Sequence, residues 1–323
     1  MGSKIEWTDE TWPVVTGCSS EPESEGCFNC YAARIAATRL KHHPRYAGLA
    51  EMVNGKPRWT GEVQLNYDVL DQPHRWRKPR MVFVASMGDL FHEDVPFEFI
   101  RQVFAVMYAA RSHTYQILTK RPQRMLEFMR WYQDALDAED IPITLPLPNV
   151  WLGVTAENQE CADERIPLLL QMPAAMRFVS CEPLLGPIDL FDVDGKIAQS
   201  MPERSMLFPA DLIDWVIVGG ESGPDARPLH PRWVQSLRDQ CHAVGVPFFF
   251  KQWGEWIPFG QGLGWAVSER AQRCWLDIRG QSNSTYSAMM HEPSALFRIG
   301  KKAAGRVLDG RTWDEMPTAV RKE

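Results

Sequence analysis

The stretch Tyr115-Gln-Ile-Leu-Thr-Lys-Arg-Pro-Gln-Arg-Met-Leu-Glu-Phe128 shows the pattern that decides the fold of this chain. Its first five residues form an apolar run of strand length, and an amphipathic pattern typical of a helix follows over residues 123–136. Polar residues stand between the two. A strand followed by a helix that leads to another strand is the βαβ unit, which places successive strands in parallel.

The same alternation recurs along most of the chain. Further runs of strand length fall at residues 11–16, 81–86, 149–154, 176–180, 215–219 and 247–250. Further helical patterns fall at residues 31–41, 66–76, 97–111, 158–170 and 231–244. Six or seven repeats predict an α/β protein and favour a partial (β/α)6 TIM-like barrel of parallel strands over an open doubly wound sheet. We expect a barrel domain at 1–251 and a C-terminal extension at 252–323, where the alternation is lost.

Composition narrows the class of protein. The 323 residues are 45% hydrophobic and 24% charged, which predicts a globular chain with a large core. The net charge of −6 argues against a general nucleic-acid coat protein, although it leaves room for a local basic surface. No apolar run reaches the roughly 18 residues that a membrane span needs, and the first residues lack the apolar stretch of a secretory signal. We therefore expect a cytoplasmic protein without a membrane partner.

Polar or ionisable residues follow each predicted strand. Active sites of α/β barrels lie at the carboxyl ends of the strands, so these residues predict one pocket. Helix capping accounts for some of them, but a cation at a helix start opposes the helix dipole. The residues at the predicted strand ends include Cys18, Ser86, Gly88, Asp89, Lys120, Thr155, Glu157, Cys181, Glu182, Gly219, Gly220 and Lys251.

Three of the seven cysteines lie close together in sequence, at Cys18, Cys27 and Cys30. Three thiols on one loop can ligate three irons of a 4Fe–4S cluster and leave the fourth iron open for chemistry. Two alternatives remain at this point. Cys27 and Cys30 alone match a redox dithiol, and all three with His42 or His43 match a structural zinc site.

The cysteine triplet followed by Tyr31-Ala-Ala-Arg34 resembles the cluster loop of radical S-adenosylmethionine enzymes. The chain as a whole is similar to a phage-associated three-cysteine family of unknown function, and more distantly to enzymes of the spore photoproduct lyase type. The gap of eight residues between Cys18 and Cys27 is longer than in the common loop, and Asn29 stands where an aromatic residue is usual. The blocks that carry the resemblance are residues 12–18, 27–32, 84–92, 117–122, 151–158, 180–187, 218–224, 226–228 and 249–254.

The resemblance implies a 4Fe–4S cluster held by Cys18, Cys27 and Cys30. It also implies S-adenosylmethionine on the open iron, reductive cleavage to a 5′-deoxyadenosyl radical, and an electron donor such as a flavodoxin or ferredoxin. The implied cofactor-binding residues are Ser86, Gly88 and Asp89 for the amino group, Thr155, Glu157 and Glu182 for the ribose and carboxylate, Gly219 and Gly220 for the adenine, and Tyr31 as a supporting aromatic. The implied catalytic residues are Lys120, which pairs with the cofactor carboxylate, Cys181, which quenches a product radical, and Lys251, which contacts substrate.

The stretch His74-Arg-Trp-Arg-Lys-Pro-Arg80 is basic with an interleaved tryptophan. This composition suits phosphate contact with base stacking, and Arg121 and Arg124 are expected on the pocket side as well. A solvated helix end is the other interpretation of the stretch. With the resemblance, it leads us to expect an enzyme that modifies or repairs a nucleotide or a nucleic acid. The alternative function is a non-enzymatic module that binds nucleic acid or a partner and carries a structural zinc.

Overall fold

The computed structural model describes residues 3, 5–193, 213–261, 271–283 and 293–318. In chain order the strands are β1 Glu10–Trp12, β2 Val15–Gly17, β3 Ala50–Val53, β4 Lys56–Trp59, β5 Val63–Leu65, β6 Met81–Val84, β7 Thr114–Thr119, β8 Val150–Thr155, β9 Met176–Cys181, β10 Trp215–Gly219, β11 Phe248–Gln252, β12 Trp256–Pro258, β13 Gln272–Leu276, β14 Ser282–Asn283 and β15 Ser294–Arg298. The helices are α1 Tyr31–Ala37, α2 Phe97–Ala109, α3 Pro122–Ala138, α4 Gln159–Leu170, α5 Pro231–Ala243 and α6 Lys301–Ala304, with short 3-10 turns at Glu25–Cys27, Tyr67–Val69 and Gln72–Arg75.

Seven strands form one parallel sheet in the order β1-β6-β7-β8-β9-β10-β11. The sheet curls into a half-barrel, so the predicted α/β class and partial TIM-like barrel are confirmed. The order follows the chain after β6 because each strand is joined to the next by a crossover that carries a helix where the chain is described. β10 has the bounds that the sequence predicts, and all five of its residues are buried.

Two sequence predictions in the first part of the chain are wrong. Residues 11–16 do not form one strand, because Pro13 interrupts the run and cannot donate a backbone hydrogen bond. β1 pairs with β6 in the main sheet, whereas β2 pairs antiparallel with β5. Residues 66–76 form two 3-10 turns instead of a helix, and the buried Pro73 lies in the second.

The predicted helix at 31–41 also ends early, at Ala37. Thr38, the residue that follows, leaves the helical conformation and donates its hydroxyl to the Arg34 carbonyl. A threonine that bonds back to the preceding turn competes with continuation of the helix. The remaining helices agree with their predicted bounds to within two residues.

The chain divides into two compact units. The first contains residues 1–154 and 168–177, and the second contains residues 155–167 and 178–323. In the first unit, Phe128 of α3 packs its fully buried ring against Phe91, Phe97, Phe104 and Tyr132. In the second unit, β12, β15, β13 and β14 form an antiparallel sheet within the predicted C-terminal extension. The predicted domain boundary at residue 251 stays a prediction.

Within the described ranges, no helix is long and apolar enough to cross a lipid bilayer.

Candidate metal centre

Residues 18–30 form the cysteine loop, which starts at a tight backbone contact in the first unit. Gly17, the last residue of β2, donates its N–H to the Met87 carbonyl and bridges to Gly88 in the loop after β6. A Cβ atom on Gly88 would lie 2.9 Å from the carbonyl oxygens of Gly17 and Val15. Only glycine allows the two backbones to approach this closely. The contact fixes the start of the loop, and Cys18 follows directly.

The other end of the loop leads into α1. Cys27 closes the 3-10 turn, and Cys30 is the residue before the helix. The Cys30 thiol interacts electrostatically with the thiols of Cys18 and Cys27, so the structure places Cys30 near each of the other two. Cys18 and Cys30 also pack against one apolar cluster, formed by Ala32, Ala33, Ala36, Tyr46, Leu49 and Trp59.

Burial makes the thiols of Cys18 and Cys30 weak acids. It raises the pKa of Cys18 to about 12, with a further increase from the nearby Asp89 carboxylate that Arg121 opposes. Burial likewise raises the pKa of Cys30. Both groups are therefore protonated thiols at neutral pH in the metal-free protein. Metals bind the thiolate form, so loading of the site must displace these protons.

The three cysteine thiols are donors that suit a metal, although they are not arranged to ligate one. All three cysteines are free thiols, which is the chemistry that both an iron–sulfur cluster and zinc require. In the part of the chain that the structure describes, no three His, Cys, Asp or Glu side chains are arranged to hold a metal ion. His43, an alternative zinc ligand, accepts the Arg45 N–H at its Nδ1 atom. The described residues therefore supply the donor chemistry of a metal site without forming a complete ligand set.

The buried Arg121 side chain lies beside Cys18. Arg121 Nη1 lies 3.0 Å from Asp89 Oδ2 and 3.9 Å from Cys18 Sγ. Its Nη2 donates to Ser19 Oγ at 2.7 Å and pairs with Glu23 Oε1 at 2.7 Å. Burial alone would lower the pKa of Arg121, but the Asp89 and Glu23 carboxylates raise it, so the guanidinium stays charged. The side chain expected to face substrate phosphate is instead bound within the cysteine loop.

Asp89 is held by donors from its own chain. It accepts hydrogen bonds from the Thr119 hydroxyl at 2.8 and 2.9 Å and from the Phe91 N–H at 2.9 Å, in addition to Arg121. The carboxylate is buried. In this arrangement it orients Arg121, and its predicted contact with the cofactor amino group stays a prediction.

Sequence reasoning missed Ser19 and His92. Ser19 Oγ lies 2.8 Å from His92 Nε2, and the His92 ring is almost completely buried. His92 Nδ1 accepts the Asp94 N–H, which leaves Nε2 to carry the proton and donate it to Ser19. Burial, followed by Arg121, lowers the pKa of His92, so the ring stays neutral. The available signal was a serine directly after a candidate ligand.

The other predicted residues of the first unit also lie around the cysteine loop. Lys120 Nζ donates to Ser24 Oγ within the loop at 3.2 Å. The Tyr31 hydroxyl donates to the Ser86 carbonyl at 2.7 Å. Tyr31 is 48% exposed and its neighbour Phe28 is 57% exposed, so two aromatic rings border the cysteines.

In the second unit, Glu182 and Lys251 form an ion pair. Lys251 Nζ lies 2.8 Å from Glu182 Oε2, and Gln252 Nε2 donates to Glu182 Oε1 at 3.1 Å. Gly219 lies against the same carboxylate, since a Cβ atom there would be 3.2 Å from Glu182 Oε1. Three predicted residues from the ends of three strands are thus in contact. Their roles toward a cofactor or substrate stay predictions.

Thr155 and Glu157 bind the same arginine. Arg165 Nη1 donates to the Thr155 carbonyl at 2.9 Å and to Glu157 Oε2 at 3.0 Å. The Glu157 carboxylate is completely buried, and so is most of Arg165. This pair ties the strand end to α4, and a buried ion pair of this kind suits a supporting role.

Cys181 and Gly220 are enclosed by protein. Cys181 is completely buried, and burial raises the pKa of its thiol, with Cys241 adding to the shift. A Cβ atom on Gly220 would lie 2.1 Å from the Trp253 carbonyl oxygen, so this position requires glycine for backbone packing. The predicted adenine contact of Gly220 and radical quenching by Cys181 are untested.

The sequence profile of a family described as "Protein of unknown function (DUF5131)" matches residues 2–317. The chain belongs to this family. The predicted phage association stays a prediction. Two solved point mutants of spore photoproduct lyase are similar to the DUF5131 chain, with TM-scores of 0.41 and 0.40 at 12% and 11% identity. The similarity covers 94% and 92% of this chain and 72% and 71% of those chains. No curated protein sequence matches it.

A surface cavity of about 510 Å3 adjoins the cysteine loop of this DUF5131 member. Three glutamates give its wall a negative character, and two of them reach Arg121. The cavity therefore suits a ligand that carries positive charge. Its lining residues are Ser19, Ser20, Glu21, Pro22, Glu23, Gly61 and Glu93.

The basic stretch lies elsewhere in the first unit of the DUF5131 fold. Residues 74–80 precede β6, at its amino end, whereas Gly88 and the cysteine loop lie beyond its carboxyl end. Arg124 donates to the carbonyls of His92 and Val95 and lies over the Phe97 ring. The basic stretch therefore lies at the other end of β6 from the cysteine loop, and its predicted contact with phosphate stays a prediction.

Proposed function

We propose that this chain is a radical S-adenosylmethionine enzyme that modifies or repairs a base in a nucleotide or nucleic acid. One observation carries the proposal. Three free thiols lie on a single loop, Cys30 interacts electrostatically with both Cys18 and Cys27, and Cys18 and Cys30 pack against the same apolar cluster. Cys18, Cys27 and Cys30 would hold a 4Fe–4S cluster, and a set of three leaves one iron open.

The chemistry available from such a cluster is one-electron cleavage of S-adenosylmethionine into methionine and a 5′-deoxyadenosyl radical, with the electron replaced by a reduced flavodoxin or ferredoxin. The chain's own residues prepare the site. Arg121 places a positive charge 3.9 Å from the Cys18 sulfur, and Asp89 holds the arginine in that position. A charge-assisted contact to a ligand sulfur favours the thiolate and tunes a cluster's potential. The apolar cluster around Cys18 and Cys30 limits water.

The acidic cavity beside the loop supports a cationic cofactor. S-adenosylmethionine carries a sulfonium and an ammonium group, and Glu21, Glu23 and Glu93 line the cavity. Arg121 pairs with Glu23 and Glu93 and offsets part of this charge, and the net attraction from the three carboxylates would concentrate such a ligand near Cys18. In this proposal the exposed rings of Phe28 and Tyr31 supply the aromatic surface that Asn29 lacks.

In the second unit, the proposed roles of Glu182 and Lys251 rest on the contacts of the Glu182 carboxylate. This carboxylate binds Lys251 and Gln252 and is partly buried, so a ligand with its own donors would compete for a carboxylate that is already positioned. Lys251 would then be released to bind an anionic group of the substrate. The completely buried Cys181 would act as a hydrogen-atom donor only toward a substrate that enters the protein interior.

Metal analysis after anaerobic purification tests the proposal. We expect a brown protein with about four irons and four sulfides per chain, as the cluster requires. Cys18→Ser, Cys27→Ser and Cys30→Ser should each lose the colour and most of the iron. The matched control is Cys274→Ser, because Cys274 is a partly buried free cysteine in the second unit. A colourless wild-type protein with one zinc would contradict the proposal and favour the zinc-binding module.

Turnover gives the second test. The reduced, iron-loaded protein should convert S-adenosylmethionine to methionine and 5′-deoxyadenosine, and the rate should increase when the right nucleotide, DNA or RNA is present. Mass spectrometry of the nucleic acid then identifies the altered base. Full cluster loading without any cleavage of S-adenosylmethionine would refute the radical mechanism while leaving the cluster assignment intact.

A further inference from the structure

A second functional surface lies at the amino ends of β6 and β7. We propose that His74, Arg75, Arg77, Lys78 and Arg111, named the basic edge, bind the phosphate backbone of a nucleic acid. This goes beyond the proposed function, because it concerns binding away from the cysteine loop and does not require radical chemistry.

Two chain segments meet at the basic edge. Residues 72–80 lead into β6, and residues 110–113 lead from α2 into β7. β6 and β7 pair in parallel from Met81 and Thr114 onward, so their amino ends are adjacent. The Thr114 N–H donates to the Arg80 carbonyl at 2.9 Å, which joins the two segments directly. Arg111 therefore lies on the same edge as the basic stretch.

The backbone of the basic edge is fixed by contacts with the core. Pro73 is buried, and His113 Nε2 lies 3.1 Å from its carbonyl oxygen. The Trp76 ring packs edge-on against His113, with 5.4 Å between ring centroids. Arg80 pairs with Glu10 at 2.6 Å. These contacts hold the segment in one conformation, so little ordering entropy is lost when a ligand binds.

The cations of the basic edge are available to a ligand. Arg75, Arg77 and Lys78 are exposed and make no salt bridge or side-chain hydrogen bond to any residue that the structure describes. Arg111 lies over the Tyr108 ring, a contact that uses the face of the guanidinium and leaves its N–H edge available. Unpaired cations on a fixed backbone can bind phosphates without first breaking internal ion pairs.

The charges nearby leave the basic edge positive. Glu10 is engaged by Arg80, and the nearby exposed acids are Asp71, at the start of the segment, and Asp9, whose carboxylate accepts the Met81 N–H at 2.8 Å. The whole chain carries a net charge of −6, so most of its surface repels a polyanion. Attraction of a nucleic acid therefore requires a local concentration of cations such as this one.

Trp76, the aromatic residue of the basic stretch, bears on which contacts the ligand makes. Trp76 is partly buried and packs edge-on against His113, so its ring has less free surface for the base stacking that the sequence predicts. The same contact limits insertion of the ring into a lipid bilayer, which favours a nucleic acid over an anionic membrane. The remaining contacts are to phosphates, and phosphate contacts position a nucleic acid without reading its sequence.

Charge removal tests the basic edge in the full-length protein. The variant carries Arg75→Gln, Arg77→Gln and Lys78→Gln. The matched control carries Arg279→Gln, Lys301→Gln and Lys302→Gln, which removes the same charge from exposed positions of the second unit. The probe is a fluorescently labelled, mixed-sequence single-stranded oligonucleotide, and anisotropy gives its affinity across a salt series.

We expect the basic-edge variant to bind at least tenfold more weakly than wild type, and the control to match wild type. The slope of log affinity against log salt should fall by roughly 2, since each lost phosphate contact on a single strand contributes about 0.7. Unchanged affinity in the variant, or an equal loss in the control, would overturn the proposal. So would a selective loss of binding to phosphatidylserine vesicles with oligonucleotide binding intact.

Two further measurements keep this result separate from the proposed function. Iron content and cleavage of S-adenosylmethionine without substrate depend on the cysteine loop, so they should be the same in the variant and in wild type. Circular dichroism should show the same melting curve, because the three replaced side chains are exposed. A variant that keeps its fold and its iron but loses the oligonucleotide supports the basic edge as the binding surface.

Discussion

Arg121 and Asp89 form a buried ion pair, with 3.0 Å between Nη1 and Oδ2, and the same nitrogen lies 3.9 Å from the Cys18 sulfur. Arg121→Met removes the cation and leaves the Asp89 carboxylate buried beside a thiol. We expect a loss of about 3–5 kcal/mol in the free energy of unfolding, since an uncompensated buried charge is costly. Urea denaturation of the metal-free protein measures it.

A double variant distinguishes the contribution of the Arg121–Asp89 ion pair from that of the residues around it. Arg121→Met with Asp89→Leu should recover part of the loss, although Thr119 and Phe91 also donate to the carboxylate. Arg101→Met is the control, because its partner Glu139 is exposed and the change should be much smaller. Equal losses for Arg121→Met and Arg101→Met would contradict the assigned importance of the buried pair.

Gly17→Ala should displace the cysteine loop. Gly17 has a φ of +95°, and a Cβ atom there would lie 2.2 Å from the Glu62 carbonyl oxygen. Gly48→Ala is the matched control, since Gly48 has a φ of +84° and open space around it. We expect about 1 kcal/mol for the control and a larger loss for Gly17→Ala. Iron content should fall only in Gly17→Ala, and a parallel fall in both would argue against the steric explanation.

Asp309→Asn should weaken the fold in a pH-dependent way. Burial alone would raise the pKa of Asp309, but hydrogen bonds from Gln261, Arg238 and Gln235 hold it below its ordinary value. The charged carboxylate therefore stabilises the fold above its ordinary pKa, and this stability is lost as pH falls through the lower, folded value.

The substitution is sterically mild, because Asp309 has a φ of +50° and asparagine tolerates that conformation. We expect Asp309→Asn to lower the free energy of unfolding by about 1 kcal/mol at neutral pH, since the carboxylate is only partly buried. The difference from wild type should shrink below the ordinary pKa of an aspartate and be lost as pH falls through the lower, folded value. A difference that stays constant between neutral and acidic urea titrations would exclude the charge as its cause.

Phe128→Ala should destabilise the first unit. The ring is completely buried and lies 5.0 Å from Phe104 and 5.5 Å from Tyr132, between ring centroids. Deletion of a buried phenylalanine costs about 3–5 kcal/mol. Phe259→Ala provides the comparison, because that ring is 53% exposed and should change stability little. Thermal denaturation measures both, and a similar shift in the two variants would contradict the packing argument.

The parallel half-barrel was predictable because its pattern is local. A buried strand needs a short apolar run, and a crossover helix needs an amphipathic stretch, so both appear in contiguous sequence. β10 and α5 lie within one residue of their predicted bounds for this reason. The region around Pro13 failed because one proline redirects the chain from the main sheet to a second, two-stranded one.

The candidate site was predictable in its cysteines but not in the side chains that surround them. Cysteine spacing is visible in sequence, whereas the Arg121 contacts with Asp89 and Ser19 join residues 32 and 102 positions apart. The sequence also did not show which residues lie at each end of β6. Residues 74–80 directly precede β6, but only the bridge between Gly17 and Gly88, which are 71 positions apart, shows that the cysteine loop lies beyond the carboxyl end of the strand.

The Gly17–Gly88 bridge has a consequence for variation of the protein. It anchors the cysteine loop at one end, and α1 anchors it at the other, while Ser19 and Glu23 tie the loop to Arg121 between them. Loop closure entropy changes slowly with length, so residues could be added or removed here at small cost in stability. If the loop holds the proposed cluster, insertion and deletion libraries here would vary the spacing of its ligands while the barrel stays constant.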